Sequence, residues 1–389
     1  MMPLVRFAAA SLGTLVAGVS GIGCLPKDEA EPNPYQDHFQ SLSRERAFPT
    51  SGDNRIIVSD AAGTGCYVFT QPEQPYNLAS VQFVQPDGDD YGKQFIAGSD
   101  RGLISHGVLL RNGDFALALE SPQLGTSGVL VTDPEFGAEA YHDLAALGLT
   151  GLGSLAQDQN DNLYVVAHNG ELNPDGEMNF SDSSTLVKFH PMRSQRPEDY
   201  QLIDLQVINA GALSISGDRL LVTSRGQDAV ELPEVQTFDI SDDAAPQLFS
   251  QTPSLQGLGY NDVMDTLDGR TVLTGGEPDL IGVYHDRGSE TGYVGMLNLP
   301  TGLQGDFVNA AQWLYLGDTE SQILYSSYDG AEGMLNVQVA SGDLGSDRWT
   351  LNQYWNFPAE RPVGLIEYGT QHYCVASNNQ LLFFSPGAD

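Results

Sequence analysis

Seven polar residues recur at similar distances ahead of short apolar runs: His106, Ser154, Asn209, Asn261, Asp262, Asn309 and Arg361. If one element of structure repeats along the chain, these side chains meet, and their types say what they could then do. Asn209, Asn261, Asp262 and Asn309 offer the hard oxygen ligands that suit Ca²⁺. His106 could act as a base beside such an ion, with Asp262 as its acidic companion, so these two are the candidate catalytic pair if the chain is an enzyme. Without a metal, the same seven residues form a polar ligand-binding set. Side chains that cap strand ends and solvate a channel would look the same in sequence.

Other chemistry is less well supported. The chain has no His-Glu-x-x-His, Gly-x-Ser-x-Gly or Cys-x-x-Cys segment, so zincin, serine-hydrolase elbow and thiol-redox readings find no anchor. Asp158, Asn160 and Asn162 alternate like calcium-loop ligands, but the glycine and terminal glutamate of an EF-hand loop are missing, and a β-turn accounts for them. His168 and His190 sit at strand ends and read as satisfied histidines. Trp313, Trp349 and Trp355 read as packing aromatics.

The elements that position these residues are strands. Seven times an apolar β-type couplet follows a polar turn, around Ile57, Ala116, Tyr164, Leu221, Val272, Leu324 and Tyr373. The spacing is roughly 50 residues, the period of a propeller blade. Four strands fit within one period: Gly153 to Gln157, Leu163 to His168, Thr185 to His190 and Leu202 to Val207. The expected fold is therefore all-β, a seven-bladed β-propeller of four-stranded blades, with six or eight blades as alternatives. A single short helix is expected around Ala138 to Leu147. The innermost strand of each blade would line a channel, with the seven polar residues at its mouth.

The N-terminus reads as an address. Arg6, the apolar run from Phe7 to Val19 and the small residues up to Gly23 resemble an export signal over residues 1–23. Gly21-Ile22-Gly23-Cys24 resembles a bacterial lipoprotein box, which implies lipidation at Cys24; it has Gly21 where such boxes prefer leucine. Leu25 in place of aspartate resembles lipoproteins sent to the outer membrane. Residues 24–50 then read as a tether and 51–389 as the propeller. With Cys24 acylated, Cys66 and Cys374 are left, one in the first repeat and one in the last, and a Cys66–Cys374 disulfide is expected, two buried thiols being the alternative.

Two segments resemble known propeller families. Thr237-Phe238-Asp239-Ile240-Ser241-Asp242-Asp243-Ala244-Ala245-Pro246-Gln247-Leu248 looks like the strand ending of LVIVD-repeat propellers. Asp158 to Val165 looks like the turn and strand of NHL, YVTN and lactonase-like propellers. The lactonase likeness implies a Ca²⁺-dependent hydrolase, although the early glutamate of that metal set has no counterpart here.

The formal charge of −34, from 51 acidic and 17 basic residues, speaks against nucleic-acid binding. Taken together, the sequence points to a cell-envelope scaffold that binds a protein or small ligand at a propeller face and reaches the membrane through a lipid anchor. A Ca²⁺-dependent lactonase or esterase and a structural subunit of a surface assembly are the alternatives.

Overall fold

The computed structural model describes most of residues 42–387. It leaves out 1–41, 51–52, 61, 73–77, 88–89, 97–100, 122–124, 138, 169–170, 173–177, 180–182, 195, 225–233, 243–244, 254–263, 267–270, 277–279, 287–290, 299–306, 317–319, 344–348 and 388–389. Everything described belongs to the compact unit Asn33–Asp389.

The most deeply buried strands explain the cadence of the sequence. Phe115–Ser121, Leu163–His168, Arg219–Ser224 and Tyr373–Ser377 are buried almost throughout. Each is the second strand of a four-stranded antiparallel sheet and is covered on both faces by neighbouring sheets. Because side chains alternate across a strand, Leu163, Val165 and Ala167 pack with Ala116, Ala118 and Val129 of the preceding sheet. Tyr164 and Val166 turn the other way, toward Leu220, Val222 and Phe238 of the following one. A strand packed on both sides is apolar over most of its length, so its sequence stands out, and its polar residues gather at its ends. The outermost strands show the opposite pattern: Gln201–Asp204 is largely exposed.

Seven such four-stranded sheets are present among the described residues. The third contains Gly151–Gln157, Leu163–His168, Thr185–Phe189 and Gln201–Asp204. This is the expected four-strand unit, with ends shifted by up to three residues. The innermost strands touch in succession, the last also meeting the first, so the sheets form a closed β-propeller.

Three expectations are corrected. Asn54–Ser59, read as the first couplet, is the innermost strand of its sheet; its counterpart to the other couplets is Cys66–Thr70. Both strands are apolar and β-branched, and the misassignment lengthened the first repeat. In place of a helix over 138–147, Glu139–Asp143 is a strand, followed by a single 3₁₀ turn, Ala145–Leu147, that ends at Gly148 with φ 86°. Residues 42–49, within the stretch read as a tether, form the outermost strand of the seventh sheet.

That strand, Leu42–Pro49, pairs antiparallel with Gln380–Pro386. The two ends of the chain thus share one sheet. The Gln353 side chain fastens the strand to the sixth sheet, accepting the Leu42 amide N–H at 2.7 Å and donating to the Leu42 carbonyl at 3.0 Å.

A histidine performs a similar bridging role between the second and third sheets. Both nitrogens of His142 are engaged at 2.8 Å, with the Tyr200 hydroxyl and the Pro191 carbonyl. A carbonyl can only accept, so Nε2 carries the proton and Nδ1 accepts from Tyr200. The ring centroid lies 4.6 Å from that of Phe189. Burial lowers the His142 pKa, the Pro191 hydrogen bond opposing it in part. Between the folded pKa and the unfolded value near 6.5, the unfolded chain binds more protons, so this group's contribution is complete above that value and is lost as pH falls through it. Urea unfolding at successive pH values from 8 to 5 should show falling stability, and His142→Asn should be less stable at pH 8 with a flatter profile. An unchanged profile in the variant would remove His142 from this role.

Candidate functional site

Six of the seven innermost strands share an irregularity at matching places among the described residues. Pairing with the second strand shifts between Asn54 and Ile56, Ile104 and His106, Leu152 and Leu155, Ala210 and Leu213, Val308 and Ala310, and Pro362 and Gly364. A bulge leaves its extra residue outside the hydrogen-bonded ladder and redirects the side chains around it. The residues released include Arg55, Ser105, Ser154 and Asn309.

Side chains from adjoining sheets take up backbone groups near these bulges. The Gln71 amide donates to the Gly102 carbonyl at 3.1 Å and accepts from the Ile104 amide at 2.7 Å. Glu120 accepts the Leu152 amide at 2.9 Å. Ser184 accepts the Ala210 amide at 3.0 Å, and Ser154 accepts the Leu213 amide at 2.7 Å. Gly102 has φ 98°, and a Cβ there would overlap the Glu120 carbonyl, so the close approach of strands requires glycine.

A central cavity of about 620 Å³ lies along these strands. Its polar wall comprises Arg55, Ser105, His106, Glu120, Ser154, His168 and Asn209, contributed by four successive sheets, and the seventh sheet adds the stretch from Val363 to Ile366. Burial raises the Glu120 pKa, with the Leu152 amide pulling it back in part. His168 Nδ1 lies 3.0 Å from the Ser184 hydroxyl. The same hydroxyl oxygen accepts the Ala210 amide, so Ser184 ties His168 to the fourth innermost strand. Asn209 adopts φ 55°, a left-handed conformation that asparagine tolerates.

Three of the seven expected residues, His106, Ser154 and Asn209, line this cavity. Asn309 occupies the bulge of the sixth innermost strand, and its side chain is not among those described. Asn261 and Asp262 lie outside the described residues. Arg361 sits at the sheet junction, where Nη2 donates to the Asn54 carbonyl at 2.7 Å, beside rather than among the residues of this cavity wall. Among the described residues no three His, Cys, Asp or Glu side chains gather as a metal-ligand group.

The Asp158 carboxylate is occupied as a turn predicts. It accepts from the Asn160 and Asn162 amides at 2.8 Å, and from the Asn162 side chain and the Tyr164 hydroxyl at 2.9 and 3.1 Å. His190 Nδ1 accepts the Met192 amide in a turn, while His168 is both satisfied and part of the cavity wall. Trp313 and Trp349 are buried, and Trp355 packs 4.9 Å from Phe384, ring centre to ring centre. Cys66 and Cys374 are fully buried thiols with their sulfurs 3.2 Å apart.

Sequence reasoning missed Arg55, Ser105 and Glu120 on the wall. Arg55 belonged to a couplet misassigned to the second strand, and Glu120 ends a second strand that otherwise reads as core. Aligning the innermost strands on the bulge register would have brought Arg55, Ser105, Ser154 and Asn309 to one position.

No protein-family model matches the chain, and no curated protein does. Among solved structures, "YCF48 bound to D1 peptide" aligns at a TM-score of 0.55 and 11% identity, covering 90% of this chain and 98% of that one. The likeness is one of fold. A chain in a structure of an S. cerevisiae Dbp5 variant bound to Nup159, a Gle1 variant, IP6 and ADP aligns at a TM-score of 0.49 and 8% identity, covering 88% of this chain and 94% of that one.

Proposed function

We propose that this β-propeller is a recognition module, exported and lipid-anchored at the cell envelope, that binds a peptide or small ligand in its central channel. One observation carries the proposal: polar side chains released by bulges in several sheets converge on a cavity of about 620 Å³, a size suited to a small ligand or the end of a peptide. The fold is shared with YCF48, whose structure holds a peptide.

Gly364 gives a direct test. A Cβ placed there meets Ile57, another wall residue, at an ordinary 3.6 Å. Gly364→Leu should therefore fill the channel beside Ile57 without backbone strain. Screening a peptide and metabolite collection against the protein should yield binders that this variant loses and that the exposed-face variant Leu202→Ala keeps. Binders indifferent to Gly364→Leu would place recognition elsewhere.

The anchor rests on Arg6, the Phe7 to Val19 run and the residues leading to Cys24. In a bacterial host, Cys24→Ala should move the protein from the membrane fraction to the soluble fraction and abolish incorporation of labelled fatty acid. Unchanged partitioning would count against lipidation at this residue.

A further inference from the structure

The outermost strands of the seven sheets differ in charge. Those of the seventh, first, second and third sheets, Leu42–Pro49, Asp90–Ile96, Glu139–Asp143 and Gln201–Asp204, all include charged residues. Those of the fourth, fifth and sixth, Gln247–Pro253, Thr291–Asn298 and Trp349–Pro358, include none. Yet 17% of the chain is charged, and its formal charge is −34. Charged residues of these sheets such as Asp242 and Asp343 lie in the turns ahead of the strands. An outermost strand presents an open edge, which proteins commonly guard with charged side chains. Three successive edges of this ring have no such guard.

Apolar exposure follows the same arc. The large hydrophobic side chains exposed among the described residues are Met192, Leu202, Leu248 and Tyr354. Met192 and Leu202 belong to the third sheet, while Leu248 and Tyr354, 54% and 58% exposed, stand on the uncharged strands of the fourth and sixth. Exposed and covered positions alternate along Trp349–Pro358, so Thr350, Tyr354 and Asn356 face outward.

The N-terminal chain enters at this arc. Leu42 is held at both its amide and its carbonyl by Gln353, a residue of Trp349–Pro358. The stretch from Cys24 to Ser41 spans at most about 65 Å even when fully extended. A lipid on Cys24 therefore brings the sixth sheet to the bilayer before the sheets across the ring.

We infer that the uncharged arc is the membrane-facing side of the propeller, with Leu248 and Tyr354 directed into the phospholipid headgroups. This rests on the lipid anchor proposed above. An anionic headgroup layer repels a protein of charge −34 wherever that charge is displayed. Only a surface free of it settles there. Tyrosine suits the position, because its ring is apolar and its hydroxyl stays hydrogen-bonded at the wet boundary. Resting on its rim, the propeller keeps both mouths of the channel clear of the bilayer.

The test uses the full-length protein, purified with its lipid from a bacterial host and reconstituted in vesicles of phosphatidylethanolamine and phosphatidylglycerol that contain a brominated phospholipid. A fluorophore is attached through Asn356→Cys on the arc or through Glu135→Cys, an exposed position on the second sheet. Cys66 and Cys374 are fully buried and do not compete for the label. Brominated lipid should quench the label at 356 at least about twofold more than the label at 135, because quenching needs contact with the boundary of headgroups and acyl chains. The double variant Leu248→Asp, Tyr354→Asp should lose that difference while still floating with the vesicles, held by its lipid. If the double variant fails to fold, the comparison of the two labels in the otherwise unaltered protein decides. Equal quenching at both positions in protein that floats with the vesicles would overturn the inference and leave the anchor standing. Protein that does not float would overturn the anchor and the inference with it. A dimer seen by light scattering, absent in the double variant and with no quenching at 356, would show the arc meeting a second copy and overturn the membrane reading.

Discussion

Under oxidising conditions Cys66 and Cys374 are expected to form a disulfide that raises the unfolding midpoint by roughly 10 °C. The two sulfurs lie 3.2 Å apart at the seam between the first and seventh sheets, and the residues are 308 positions apart in sequence. A cross-link closing so long a loop restricts the unfolded chain by about 5 kcal/mol in the chain-entropy account. The bond forms by exchange with an oxidant disulfide: the two thiols lose two electrons and two protons, and the oxidant leaves as a dithiol. Both sulfurs are fully buried, so exchange belongs to folding, before the seam closes. Burial, together with the neighbouring Cys66, holds the Cys374 thiol far above its ordinary pKa, so the reduced native protein should resist alkylation at pH 8 and label at both positions in urea. Calorimetry with and without reductant, with non-reducing peptide mapping, checks the bridge. The double variant Cys66→Ala, Cys374→Ala should have a midpoint insensitive to reductant. An unaltered protein with the same insensitivity, and two labelled thiols after denaturation, would show that no bridge forms.

Removing residues 1–49 is expected to give a midpoint at least about 10 °C below that of the protein lacking 1–41, or to cause aggregation. The difference lies in the Leu42–Pro49 strand. Without it, Gln380–Pro386 becomes the edge of its sheet, with unpaired backbone groups beside Leu381, Leu382, Phe383 and Phe384, all buried in the intact protein. Leu42 is 3% exposed, and its burial contributes roughly 1.5–3 kcal/mol; the half-buried Phe48 meets Phe383 edge-on at 6.1 Å. The Gln353 amide also loses both its partners. Calorimetry and light scattering on the two truncations compare them directly. Equal midpoints would show that the strand is dispensable for closure.

The fold was legible because a strand covered on both faces is apolar over most of its length, and the runs Leu163–Ala167 and Tyr373–Ala376 announce themselves within such strands. Innermost strands were harder to read. Asn54–Ser59 carries the same apolar signature as a second strand, and only its pairing distinguishes the two. The Leu42–Pro49 strand was hard to place for the opposite reason: most of it is exposed, and its charged sequence reads as a linker even where an N-terminal strand completing the last blade is in view. Counting back from the couplets brought His106, Ser154 and Asn209 to the channel because the bulges recur at nearly constant spacing. It missed Glu120, whose partner Leu152 is distant in sequence but adjacent in the ring, and it brought Arg361 to the sheet junction.

The bulges have an evolutionary consequence. A residue outside the ladder can be exchanged without moving its neighbours out of register, and a single slip of register would turn a strand's core face outward. On the function proposed above, Ser105 occupies a position where variation would change what the channel prefers, whereas Arg55 and Ser154 also hold the Gln71 carbonyl and the Leu213 amide and would shift the junctions as well. Paralogues built on this frame would diverge first at sites like Ser105, and a designer wishing to change the cargo would begin there.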